Sequence, residues 1–168
     1  DMAANKVASM TLDDAAAQMI QGENLRVSAS DVSTYKLGAI FSGGNGDPSA
    51  GNNPQNWADM LNQYNNAVNF GIPILYGADS VHGNNNVIGA TIFPHNIGLG
   101  CTRDLDLITR VFQASAQETR ATGITWTFAP TVAAARDERW GRTFESFSED
   151  PNLVAWIGQA AVEGLQGS

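Results

Sequence analysis

The segment "RDERWGRTFESFSEDP", residues 136–151, concentrates charged side chains of both signs around aromatic residues. It holds three arginines and five acidic residues, the latter being Asp137, Glu138, Glu145, Glu149 and Asp150. Glycoside hydrolysis needs two carboxyl groups, one of raised pKa as the acid and one ionised as nucleophile or base. Neighbouring arginines lower carboxyl pKa values and form bidentate ion pairs. The composition therefore favours an ion-paired loop over a catalytic pair.

Two residues of this chain have types and positions suited to contact a ligand. Asp79 follows the apolar run "ILYGA", and an ionised Asp has enough lone pairs to accept two hydroxyl groups. A carboxylate that caps a loop turn is the alternative interpretation of Asp79. Arg142 is preceded by Gly141, so its guanidinium is free to present several fixed donors to a ligand.

Other patterns give weaker signals. Asp79, His82 and His95 have the residue types of a zinc site, but these ligands on a long loop are a weak prediction. "GGNGDPSAG" matches neither nucleotide-binding glycine motif, and Ser80 and Cys101 lack the G-x-S-x-G context of a serine nucleophile. We predict no metal and no cofactor.

Helix and strand signals alternate along the chain. Thr11 caps a predicted helix over residues 12–21, with Asp14 placed to complete a capping box. Three later helices are predicted over 54–70, from Thr102 or Asp104 to about 122, and over 151–161. Short apolar runs predict strands at 37–41, 72–78 and 124–130, with a long loop after the second strand. The alternation favours a parallel sheet, either doubly wound or part of a (β/α) barrel. Asp79 and Arg142 then lie at strand carboxyl ends, where such folds bind ligands.

Composition excludes several classes of partner. The formal net charge of −8 disfavours nucleic acid and anionic membrane surfaces, and no apolar run is long enough to span a membrane. A single cysteine excludes an internal disulfide. The first residues lack the pattern of a signal peptide, as expected of a processed N-terminus.

Two long motifs carry a family resemblance. "GIPILYGADSVHGNNNVIGATIFPHNIGLGCTRD" and "ETRATGITWTFAPTVAAARDERWGRTFESFSEDP", followed by "GLQG", resemble the N-terminal domain of glycoside hydrolase family 3. The resemblance implies that residues 1–168 are a partial N-terminal domain, an incomplete TIM-type barrel with about the first three strands. It also implies that Asp79 and Arg142 hold the non-reducing glucose in subsite −1. Supporting roles then fall to His82, Arg136, Trp140 and Glu145.

The same resemblance implies a retaining, exo-acting β-glucosidase or β-glucan glucohydrolase, periplasmic or secreted. Its nucleophile Asp and acid/base Glu are expected downstream, with no catalytic residue in this chain. The expected partners are glucose or a β-gluco-oligosaccharide, and either the remainder of the enzyme or a second copy joined through exposed sheet edges. The alternatives are a small glucose-binding module without catalysis and an inactive fragment that self-associates.

Overall fold

The computed structural model describes residues 2–167 and shows helices alternating with short parallel strands. Its elements in chain order are α1 Met2–Ala8, α2 Leu12–Gln18, β1 Gln21–Glu23, α3 Ala29–Tyr35, β2 Ala39–Ser42, α4 Pro54–Asn66, β3 Leu75–Ala78, α5 Asn96–Thr102, α6 Leu105–Ala121, β4 Trp126–Thr127, a 3-10 turn Thr143–Glu145 and α7 Pro151–Gln166.

The strands form one sheet in the order β1-β2-β3-β4, with every pairing parallel. This order is that of successive (β/α) units, and it confirms the predicted α/β class with the first strands of a barrel. The sheet has four strands in the described residues, one more than predicted. β1 was missed because "QGE" has no apolar run and low strand propensity. Its parallel pairing with β2 stabilises the strand in spite of this composition.

Several local signals at helix ends were predicted correctly, whereas the capping box of Ser28 and Asp31 at the start of α3 was missed. Thr11 and Asp14 form the capping box of α2, Asp104 rather than Thr102 caps α6, and Pro151 is the first residue of α7. Gly123 follows α6 with a φ of +89°, a conformation that glycine adopts without strain.

Some predicted bounds were wrong. α2 ends at Gln18 and α4 at Asn66, earlier than predicted, whereas α7 continues to Gln166. The loop predicted after β3 contains α5, whose glycine-rich sequence "NIGLGCT" gives little helix signal. Packing against the chain around Phe147 compensates for this low propensity, because Gly100 of α5 allows close backbone approach.

One face of the sheet is covered by helices. Ile40 of β2 and Tyr76 of β3 are fully buried in a core that includes Trp57 and Leu61 of α4 and Val32 of α3. A second core joins α6 to α7 around buried Ile108, Phe112, Ile157 and Ala161. These cores hold the strand ends, and hence the loops that follow them, in fixed positions.

The other face of the sheet is open. Glu23, Phe41, Gly77 and Trp126 occupy one row across the four strands, so their side-chain positions share this face. Trp126 is 39% exposed, and the Trp126 ring contacts Phe128 edge-on at 4.9 Å. In a closed barrel such a row points inward and is packed by the remaining strands.

Candidate functional site

Asp79 is the first residue after β3 and lies at the carboxyl edge of the sheet. β3 ends at buried Ala78, and the chain then turns so that Asp79 is half-buried. Among residues 2–167, no side chain or backbone group donates a hydrogen bond to the Asp79 carboxylate. Its oxygens are therefore available to hydroxyl groups of a ligand.

Arg142 lies at the start of the 3-10 turn that follows β4 and is bound there by Glu145. Arg142 Nε donates to Glu145 Oε1 at 2.9 Å, and Nη2 donates to Oε2 at 2.6 Å. Thr131 Oγ1 donates to Glu145 Oε2 at 3.3 Å. We call the Arg142–Glu145 pair the clamp. Three of the five guanidinium N–H groups remain for other acceptors.

The charges of the clamp reinforce each other. Hydrogen bonding from Arg142 is the main cause that lowers the pKa of Glu145, although partial burial opposes it. Glu145 in turn raises the pKa of Arg142, and the nearby Asp79 carboxylate adds to that effect. The fold therefore brings the two predicted ligand contacts within electrostatic reach of each other. Arg142 stays cationic and Glu145 stays anionic well into the acid range.

A stack of rings joins the loop after β3 to the turn that carries the clamp. The His82 and His95 rings are 4.2 Å apart between centroids, and His95 meets Phe144 edge-on at 4.8 Å. His82 Nδ1 also lies 3.1 Å from the carbonyl oxygen of Phe93. This stack connects His82 to the turn that carries the clamp. The sequence had not indicated a role for Phe144.

The two remaining supporting residues lie on the surface. Trp140 is 36% exposed, and its carbonyl oxygen accepts the Thr143 hydroxyl at 2.6 Å in the same turn. Arg136 is exposed and lines a separate cleft of about 320 Å³ beside Cys101. Arg136 forms no ion pair within the described part of the chain. The structure does not bring Arg136 together with Asp79 or Arg142 by any direct contact.

Three of the five acidic residues of segment 136–151, Asp137, Glu145 and Asp150, serve local structure. Asp137 accepts hydrogen bonds from the Arg139 guanidinium at 2.5–3.2 Å, and Asp150 caps α7. These pairs agree with the interpretation of the segment as an ion-paired loop.

Sequence reasoning missed two residues that support the clamp. Asn96 Nδ2 donates to the carbonyl oxygen of Glu145 at 2.7 Å, and Thr131 reaches the Glu145 carboxylate. Asn96 lies 49 residues from Glu145 and Thr131 lies 14 residues from it, beyond the three- or four-residue spacing of a local pattern. The one available signal was the polar Asn96 amid the apolar residues of "FPHNIGLG".

The family described as "Glycosyl hydrolase family 3 N terminal domain" matches residues 11–168 of the chain. The chain belongs to glycosyl hydrolase family 3. This family 3 chain is 44% identical, over 115 residues, to a lysosomal beta glucosidase of Dictyostelium discoideum, a match that covers 66% of this chain and 14% of that protein. It is 38% identical, over 96 residues, to a periplasmic beta-glucosidase of Salmonella typhimurium, covering 57% of this chain and 12% of that protein.

A solved structure shares the fold of the family 3 chain over nearly its whole length. The exo-1,3/1,4-beta-glucanase of a Pseudoalteromonas species superposes with a TM-score of 0.92 and 44% identity, covering 99% of this chain and 22% of that one. The family 3 chain thus spans about a seventh of the length of the first curated relative and less than a quarter of this structure. No helix within residues 2–167 is long and apolar enough to cross a membrane.

Proposed function

We propose that this chain supplies glucose recognition to a retaining, exo-acting β-glucosidase or β-glucan glucohydrolase. Asp79 and Arg142 bind hydroxyl groups of the non-reducing terminal glucose in subsite −1. Membership of glycosyl hydrolase family 3 supports the reaction class. The relatives named as beta-glucosidases and as an exo-1,3/1,4-beta-glucanase support the substrate class.

The observation that carries the proposal is an unengaged carboxylate within electrostatic reach of a guanidinium that is held by an ion pair. Asp79 accepts no hydrogen bond from the described residues, whereas Glu145 fixes two N–H groups of Arg142 and leaves three free. A sugar hydroxyl donates one hydrogen bond and accepts others, so hydroxyls of one sugar can donate to a carboxylate and accept from a guanidinium.

The catalytic carboxyl pair lies, in this proposal, outside these residues. A general acid needs a raised pKa, but the arginine partners of Asp137 and Glu145 lower the pKa of both carboxyls. Asp150 is engaged as a helix cap. We assign the nucleophile Asp and the acid/base Glu to a further part of the protein, which completes the subsite.

The part of the protein that carries the catalytic carboxyls is also the proposed partner of the open sheet face. Leu75 and Trp126, 46% and 39% exposed, lie on the face that a closed barrel buries. β4 has no strand on its outer edge within the described residues. An unpaired edge of this kind invites another strand, which we assign to the remainder of the enzyme. We place the protein in the periplasm or outside the cell, which the name of the Salmonella relative supports.

The test is glucose binding by calorimetry and hydrolysis of 4-nitrophenyl β-D-glucoside by the full-length protein. Asp79→Asn and Arg142→Lys each weaken glucose binding, by roughly 10- to 100-fold, because each loses charge-assisted or bidentate hydrogen bonds. The exposed ion pair of Asp106 and Arg110 on α6 provides the matched controls Asp106→Asn and Arg110→Lys, which leave binding unchanged.

Each result has a defined meaning. Unchanged affinity in both site variants would refute the assignment of Asp79 and Arg142. Glucose binding without hydrolysis by the wild type would favour a non-catalytic binding module. If a variant within residues 137–150 abolished hydrolysis as completely as loss of a nucleophile does, the dyad would have to be placed in this chain.

A further inference from the structure

Asn96 connects the first turn of α5 to the backbone of the clamp. It is 3% exposed, and its Nδ2 donates to the carbonyl oxygen of Glu145 at 2.7 Å, across a sequence separation of 49 residues. Its Oδ1 is buried and accepts no hydrogen bond within residues 2–167. Within the described part of the chain, the Asn96 side chain thus makes a single hydrogen bond, directed at the residue that holds Arg142.

Packing alone does not fix the position of Arg142. Its side chain is 62% exposed, whereas that of Glu145 is only 14% exposed. The guanidinium therefore takes its position from the Glu145 carboxylate, and the carboxylate takes its position from the backbone of the 3-10 turn. Asn96 binds that backbone at the carbonyl group of Glu145 itself.

α5 is in turn fixed relative to the loop that carries Asp79. His95, which precedes Asn96, stacks between His82 and Phe144. Phe93 N–H donates to the His82 carbonyl oxygen at 2.9 Å, which closes the loop on itself. The chain after Asp79 and the turn after Arg142 thus meet at one place, the start of α5.

We propose that Asn96 is a positioning residue for Arg142, which sets the distance and angle between the Arg142 guanidinium and the Asp79 carboxylate through its hydrogen bond to Glu145. This proposal rests on the proposed function, because it takes the relative position of Arg142 and Asp79 to determine glucose binding. Asn96 touches no reacting atom, and its effect passes entirely through the clamp.

The experiment uses the full-length protein with Asn96→Ala and Asn96→Leu. Leucine has nearly the shape of asparagine and removes both the hydrogen bond and the unpaired Oδ1, so this variant keeps the fold if alanine does not. Asn69, which donates to the Ser33 carbonyl oxygen at 2.9 Å away from the site, supplies the matched control Asn69→Ala. Each variant is also made together with Arg142→Lys.

We expect Asn96→Leu to raise both the glucose Kd and the KM for 4-nitrophenyl β-D-glucoside by about 5- to 20-fold, as loss of one hydrogen bond to a positioned group implies. The value of kcat stays within about twofold, since the contact serves ground state and transition state alike. In the Arg142→Lys background the same change has less than about a twofold effect, because the bidentate clamp is already lost. Asn69→Ala changes none of these values.

Two results would overturn the role of Asn96. One is an equal loss of affinity in both backgrounds; the other is a fall in apparent kcat at unchanged KM, as loss of folded protein alone produces. A crystal structure of Asn96→Leu tests the geometry without ligand: an unmoved turn 142–145 would refute positioning even if the wild type bound no glucose. Absence of glucose binding and hydrolysis in the wild type would instead refute the proposed function.

Discussion

A methyl group added at Gly100 of α5 would collide with the backbone of Phe147, next to the turn that carries the clamp. A Cβ at Gly100 would lie 1.8 Å from the carbonyl oxygen of Phe147 and 2.7 Å from its carbonyl carbon. The loop segment that carries the clamp ends just before Phe147. Gly100→Ala therefore forces either α5 or this segment to move.

The size of the movement follows from the contact. Real Cβ atoms essentially never approach another heavy atom within 3.0 Å, so the 1.8 Å contact must lengthen by at least about 1.2 Å. Backbone atoms cannot rotate away as a flexible side chain does. Overpacking of this kind costs about 1–3 kcal/mol or more, so we expect the melting temperature to fall by several degrees. Displacing the clamp by about 1 Å lowers kcat/KM by roughly 10- to 100-fold.

Gly98 on the same helix provides the matched control. A Cβ there meets only Pro94, at 3.5 Å, which is an ordinary contact. Gly98→Ala gains up to about 1 kcal/mol from helix propensity and leaves kinetics unchanged. Thermal unfolding and hydrolysis of 4-nitrophenyl β-D-glucoside are measured for both variants of the full-length protein. Equal melting temperatures and equal kcat/KM for the two variants would refute the argument.

Three further predictions concern single contacts. Glu145→Gln loses one of the two charge-assisted bonds to Arg142, so we expect calorimetry to show glucose binding weakened by about 3- to 10-fold. The control Glu163→Gln, on the exposed face of α7, has no effect on glucose binding. Equal affinities of the two variants would contradict the role of the clamp. Asp14→Asn lowers the melting temperature at neutral pH, because ion pairing and capping lower the pKa of Asp14 from 3.8 to about 2. A carboxyl whose pKa is lowered in the fold stabilises the fold above its unfolded pKa of 3.8, and this effect is lost as pH falls through the folded pKa of about 2. The difference in melting temperature from wild type should therefore shrink as pH falls from about 4 and vanish below about pH 2, and a difference undiminished at about pH 2 would contradict the prediction. Tyr76→Phe removes a buried 2.6 Å hydrogen bond to a serine hydroxyl of β2 and costs about 1 kcal/mol of the free energy of unfolding in denaturant titration; an unchanged midpoint would show that the bond contributes nothing.

Much of the fold was predictable because its signals are local. A capping side chain and its partner lie three residues apart, and a one-faced helix shows its period within its own segment. The box of Thr11 and Asp14 and the helices α4, α6 and α7 were recognised in this way. β1 and α5 were not, because neither "QGE" nor "NIGLGCT" has a strong preference without the segments that pack on it.

For the candidate site, the sequence by itself determined which residues have the right chemistry. Asp79 at a strand end and the ion-paired arginines of segment 136–151 follow from residue type and position alone. Only the tertiary structure decided which of these groups meet. It placed Arg142 within electrostatic reach of Asp79 and Asn96 against Glu145, and it left Arg136 in a separate cleft. Such meetings depend on sheet register and helix packing, which join distant segments and leave no mark in the local order of residues.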